Sequence, residues 1–320
     1  MRNRVIILLL GAALGAACTK STIDLNDRSI SFAPVASKTT KAIIDGASYP
    51  TSESFKVSAY LNGSDPYFQN QSASYSSSLN LWETEQPQYW PLEGSLSFYA
   101  YSPASASGIS LTRDGFNATG YTIQTPAQMT TDLCYASVTV ADCADHPLSV
   151  PLQFSHALSQ VVFRVKAAAF YGTAQRSVAI SMTSLSLSGI YSVGDFADGA
   201  WENQESEYSY TLSDSTTELT YDQSNNPETT VVCSYLFLPQ ELGPNAAFTV
   251  GYAITQTVSG TDYSLENPPA SYPLSGTVTR WEPGKKYIYT LSIGMNNLIT
   301  FTASAVGWQD ESQNIIVEEN

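Results

Sequence analysis

Side chains able to do covalent or metal chemistry are few in this chain and poorly placed for one another. The 320 residues include 4 cysteines and 2 histidines: Cys18, Cys134, Cys143 and Cys233, with His146 and His156. Zinc ligation favours Cys and His in closely spaced pairs. No cysteine pair has that spacing, so no metal site is expected. Cys134 and Cys143 bracket the strand-like run 135–140, and nine extended residues span about 30 Å, whereas bridged Cα atoms lie within about 7 Å. Setting Cys18 aside leaves an odd number of thiols, which argues against a disulfide framework. Buried free thiols are the expectation. There is no Gly-x-Ser-x-Gly elbow, no His-Glu-x-x-His and no Walker loop. The 29 acidic residues make a carboxylate pair conceivable, but sequence does not set two of them at a hydrolase separation. The chain is therefore read as a non-enzyme with no cofactor.

Composition narrows the remaining classes. A formal net charge of −15, with only 14 Lys and Arg, argues against a nucleic-acid partner, which demands basic patches. Charged residues make up 13%, well below the roughly 25% usual in soluble domains. Tyr, Ser and Thr are abundant instead, a surface rich in hydroxyls and β-formers. After the first residues no apolar run approaches the about twenty residues that a membrane-spanning helix needs.

The elements that must position any site read as strands. Residues 55–61 alternate apolar and polar side chains and stop at Asn62-Gly63, a strand followed by a turn. Residues 96–101 end at Ser102-Pro103, and the runs 133–140, 152–165, 178–190, 231–238, 248–257 and 287–293 have the same character. Clusters of Gly, Pro, Asn and Asp separate them at the short spacing of β-sandwiches. The boundary is placed at residues 142–151, where Asp145-His146-Pro147 and Pro151 interrupt two strand patterns. Trp90, Phe98, Tyr99 and Tyr101 read mainly as packing residues. His156, sharing a face with Phe154 and Leu158 by period two, reads as a core histidine.

The N-terminus is an export signal. Arg2 and Arg4 precede the apolar run 5–10, and Leu14-Gly15-Ala16-Ala17 leads into Cys18. A basic start, a short apolar core and a small-residue cleavage site have that meaning. The cysteine directly after the site resembles the lipobox of bacterial lipoproteins, whose thiol is acylated, as by palmitate, before cleavage. That resemblance implies a signal peptide of residues 1–17 and a lipid anchor on Cys18. The family pattern places a large aliphatic residue three before the cysteine; here Gly15 stands there, with Leu14 one position early. The plainer alternative is an ordinary signal cut after Ala17.

Taken in order, a further set of segments resembles the Bacteroidales fimbrillins, lipoprotein precursors of type V pilus subunits. These are Ile30-Ser31-Phe32, Thr40-Lys41-Ala42, Trp90-Pro91 with 98–103, Asp132-Leu133-Cys134-Tyr135-Ala136 and 154–161 around His156. Leu238-Pro239-Gln240, Trp281-Glu282-Pro283-Gly284-Lys285 with Tyr287, and Gly307-Trp308 complete the set. The resemblance implies an all-β chain of two transthyretin-like, Greek-key β-sandwich domains, residues 42–147 and 148–320, behind a propeptide-like segment 18–41. It implies a structural or accessory subunit of a surface fimbria that contributes to adhesion. Its expected partners are other fimbrial subunits, the outer membrane through the precursor's lipid anchor, and a host or bacterial surface receptor.

In the resembling family the strand ahead of a protease site is cut away, and a neighbour's strand fills the groove left behind. Carried onto this sequence, the removable strand centres on Ile30 and Phe32, and the cut falls between Lys41 and Ala42. Fimbrillins usually carry Arg where this chain has Lys41; Arg28 is the nearest upstream alternative, but a cut there leaves the strand in place. The candidate donor strand is the β-branched run near the C-terminus, with Ile315 and Val317 on one face. The run 299–306 competes for that role. The alternative function is a monomeric outer-surface lipoprotein that binds glycan on a stacking platform of Trp82, Tyr89 and Trp90.

Overall fold

The computed structural model describes residues 28–36, 49–173, 176–276, 278–295 and 299–307. The first strands are β1 (Ser31–Phe32), β2 (Val35–Ala36), β3 (Phe55–Leu61), β4 (Asp65–Ser76), β5 (Leu81–Thr84) and β6 (Leu96–Ser102). The hairpin β7 (Ile109–Thr112) and β8 (Gly115–Thr122) follows, then a single capped turn of helix, α1 (Pro126–Met129). Next come β9 (Cys134–Val140), β10 (Gln153–His156), β11 (Ser159–Ala167), β12 (Arg176–Ala197) and β13 (Ala200–Ser213). The chain continues through β14 (Thr217–Glu218), β15 (Thr230–Phe237), β16 (Ala247–Val258), β17 (Thr261–Pro273), β18 (Lys285–Ile293) and β19 (Ile299–Gly307).

Among the described residues three sheets result, and the all-β sandwich expectation holds. One has eight strands in the order β1-β5-β4-β3-β6-β9-β10-β2, one has four (β15-β11-β18-β19), and one has seven (β17-β16-β12-β8-β7). The eight-stranded sheet curls around an interior of Phe32, Phe55, Phe98, Phe154, Trp82 and Trp90. The other two sheets face each other across a larger interior that includes Phe163, Phe237, Phe248, Trp281 and Tyr289. Alternation along β6 serves both interiors: Phe98 and Ala100 face the first, Tyr101 the second, as period two requires.

The sheets do not divide at residues 147 and 148. β10 lies after that boundary yet pairs with β9 of the first sheet, His156 opposite Cys134. β7 and β8 lie before it yet enter the second half's sheet, where Thr122 pairs with Val193 of β12. The apolar run 152–165 is correspondingly two strands, broken at Ala157 and Leu158 where the chain passes from one sheet to the other. Continuous burial on both sides of the break hid it, since a polar turn is what normally marks one.

Candidate assembly site

The segment 28–36 occupies a slot in the first sheet. It is bonded along both sides, like an interior strand. On one side the N–H of Trp90 donates to the carbonyl of Arg28 at 2.8 Å, and the N–H of Ile30 donates to Gln88 at 2.7 Å. Ser31 and Phe32 then pair antiparallel with Glu83 and Trp82 of β5. On the other side the N–H of Val150 donates to the Ser31 carbonyl at 2.8 Å, and those of Ala33 and Val35 donate to Val150 and Leu152 at 2.9 and 2.8 Å. Val35 and Ala36 finish in parallel register with Gln153 and Phe154 of β10. The segment thus joins two strands, β5 and β10, that are the ends of the row β5-β4-β3-β6-β9-β10.

Side chains fix the register. Ile30, Phe32 and Pro34 are buried on one face, and Phe32 is fully inaccessible. Its ring meets Phe55 and Phe98 edge-on, with centroids 5.6 and 5.9 Å away, the offset geometry that aromatic quadrupoles favour. Ser31 donates its hydroxyl to the Leu148 carbonyl at 3.1 Å. Arg28 anchors the entry, its guanidinium donating to the carbonyls of Pro91 at 2.5 Å and Cys143 at 3.3 Å. A one-residue slip would turn Phe32 out of the interior, so the slot selects its occupant by alternate side chains. Ile30 and Phe32 share the inward face, while pairing resumes beyond Pro34 at Val35 and Ala36.

Cys18, Lys41, Ala42, Ile315 and Val317 lie outside the described residues. The competing run 299–306 is within β19, paired residue by residue with β18 from Ile293↔Ile299 to Lys285↔Gly307. Of the proposed sugar platform, Trp82 and Trp90 are 7% and 4% exposed and Tyr89 is 43% exposed. Trp82 is edge-on to Tyr75 and Tyr49, and Trp90 lies flat against His146 at 4.9 Å. Two of the three rings are interior packing, so they do not form a common stacking face. Gln88 and Trp90 are bonded to segment 28–36, and of this stretch the Trp90 ring is buried while Tyr89 stays exposed.

One polar cluster escaped the sequence reading. Asp132, Cys134 and His156 come together at the junction of β9 and β10, with His156 Nδ1 2.8 Å from Asp132 Oδ1 and 3.2 Å from Cys134 Sγ. The signal was present in part: Asp132 and Cys134 are two apart, hence on one face of an extended chain. The cross-strand register that adds His156 is not local. Burial, then the charge of Asp132, pushes the Cys134 thiol well above its ordinary range, the reverse of what a nucleophilic cysteine requires. Cys134 and Cys143 are buried free thiols, as expected, and Cys233 is half-buried.

Comparison with known proteins adds the following. A sequence-family model described as Fimbrillin-like matches residues 40–308. No curated protein matches the chain. Among solved structures, a candidate cell adhesion protein from Bacteroides uniformis ATCC 8492 aligns with a TM-score of 0.50 at 15% identity, covering 88% of this chain and 99% of its own. A second, from Bacteroides eggerthii DSM 20697, aligns with a TM-score of 0.51 at 13% identity, covering 88% and 96%. At such identities the likeness establishes a shared fold.

Proposed function

The chain belongs to the fimbrillin-like family, and from that premise we propose that it is a structural or accessory subunit of a surface fimbria assembled by β-strand addition. The observation that carries this reading is the slot between β5 and β10 and its occupant, segment 28–36. A strand bonded on both sides, entering from upstream of the Lys41–Ala42 peptide bond, is the element whose removal would open a long groove lined by unpaired backbone groups and apolar pockets. Such a groove is satisfied by another strand of matching alternation.

In this reading the precursor is exported, acylated on Cys18 and held at the outer membrane, with the groove filled in cis. Cleavage between Lys41 and Ala42 releases the occupant. A neighbouring subunit then supplies a strand whose Ile315 and Val317 enter pockets vacated by Ile30 and Phe32. Each apolar side chain so buried contributes on the order of 1.5–3 kcal/mol, and each backbone bond about 1 kcal/mol, enough in sum for a lasting junction. Other subunits are thus its partners, and the assembled surface contributes to adhesion.

The test compares the full chain with a chain beginning at Ala42. The shortened chain should form oligomers by light scattering, and a synthetic peptide of residues 28–36 supplied in excess should suppress them. A shortened chain that stays monomeric at high concentration, with hydrogen-exchange protection of β5 and β10 unchanged, contradicts the proposal.

A further inference from the structure

The cluster at the β9–β10 junction has no part in assembly by strand addition. Asp132 Oδ1 and Cys134 Sγ both lie within hydrogen-bond distance of the same ring nitrogen of His156, the close convergence of oxygen, sulfur and nitrogen that a shared cation would also ask for. One ligand atom from each of the three residues lies within 4.8 Å of the others. The Asp132 side chain is 6% exposed and that of His156 2%. The second carboxylate oxygen of Asp132, Oδ2, is buried without a hydrogen-bond partner. A buried polar atom left so is costly, and such atoms in native folds call for a ligand or a role.

We propose that Asp132, Cys134 and His156 bind a single zinc ion. Thiolate, imidazole and carboxylate are the donors this borderline-soft cation takes, at about 2.3, 2.0–2.1 and 2.0–2.2 Å. A tetrahedral ion with those bond lengths holds nitrogen and sulfur about 3.5 Å apart and nitrogen and oxygen about 3.3 Å apart. The observed 3.2 and 2.8 Å are contracted versions of that arrangement, so seating the ion asks the nitrogen–sulfur pair to open by about 0.3 Å and the nitrogen–oxygen pair by about 0.5 Å.

Charge and access agree with the donor set. One thiolate and one carboxylate neutralise a divalent ion, so the occupied site carries no net charge into the interior, where an uncompensated charge is costly. Asp132 also lines a cleft of ≈ 410 Å³ together with Glu53, Ser102 and Thr130. The proposed site therefore meets the cleft at its Asp132 side, from which an ion and a water ligand would enter. An occupied site would tie β9 to β10, the strand on which β2 rests.

The full chain, stripped with a chelator, is titrated with Zn(II) and, separately, with Co(II). Uptake of one ion per chain is expected, with a thiolate-to-cobalt charge-transfer band in the near ultraviolet and a saturable rise in the thermal midpoint with zinc. Cys134→Ser should abolish the band, and Asp132→Asn should weaken zinc binding by at least about tenfold; Cys233→Ser should alter neither. A folded wild-type chain that shows no band overturns the proposal. So does a band that survives Cys134→Ser or disappears in Cys233→Ser. If Cys134→Ser does not fold, the isosteric Asp132→Asn carries the test, and unchanged affinity in that variant is equally fatal.

Discussion

The ring of Phe32 stands perpendicular to that of Phe55, centroids 5.6 Å apart, so a residue upstream of Lys41 completes an interior built by residues downstream of it. The occupant of the slot is structurally a core element, although in sequence it belongs to a segment expected to be removed. Stability and assembly are therefore coupled through the same few side chains.

Phe32→Ala in the full chain should lower stability by about 3–5 kcal/mol, the usual cost of emptying a well-packed aromatic site. Denaturant unfolding measures it. A loss below about 1 kcal/mol would mean that the interior closes without this ring.

Arg28→Ala should loosen the slot without emptying it. The guanidinium holds the carbonyls of Pro91 and Cys143, and bonds from a charged donor are worth about 1.5–3 kcal/mol each. Hydrogen exchange at Ile30 and Ala33 should accelerate while that of β18 is unaffected. Uniform acceleration across the chain would place the effect on global stability instead.

Alkaline pH should unfold the chain cooperatively. Burial pushes the Tyr287 hydroxyl up to about 12, with the backbone N–H of Glu282 acting in the opposite direction. Tyr49, Tyr121, Tyr210 and Tyr289 are likewise raised by burial. In the unfolded chain these phenols ionise near about 10. Their contribution is complete below that pH and is lost as pH rises through the folded values. Tyrosinate absorbance and loss of β-sheet dichroism should coincide in that window. Half-titration of the buried phenols near pH 10 with the fold intact would contradict the burial described.

Truncation after Trp308 keeps the whole of β19, Ile299–Gly307, so the monomer should stay folded, and it should abolish polymerisation of chains that begin at Ala42. Electron microscopy reads the outcome. Fibres of normal length from the doubly truncated chain would exclude the C-terminal run containing Ile315 and Val317 as donor.

The fold class was legible because the runs 55–61 and 96–101, each closed by a turn signal, are local marks of strands, although both prove largely buried on both faces. The inward face of Ile30 and Phe32 was legible from period two, but the continuation past Pro34 into pairing with β10 was not. β4, β13 and β17 were not, because much of each is exposed and polar; their extended form comes from pairing with β3, β12 and β16. The irregular register of β12 with β13, shifted at several points, erases the period that would have revealed it. Long-range register is likewise why the entry of β8 into the sheet of β12 could not be read locally, why Trp82 could be grouped with Tyr89 in the alternative platform, and why Asp132, Cys134 and His156 were not seen as one cluster.

The central claim is that the slot occupied by segment 28–36 must be vacated before a neighbour can enter it. Mass spectrometry of the first residue of chains recovered from native polymer tests this directly. The account predicts chains that begin at Ala42. Polymer whose chains still begin at Cys18, with Ile30 and Phe32 attached, would contradict it.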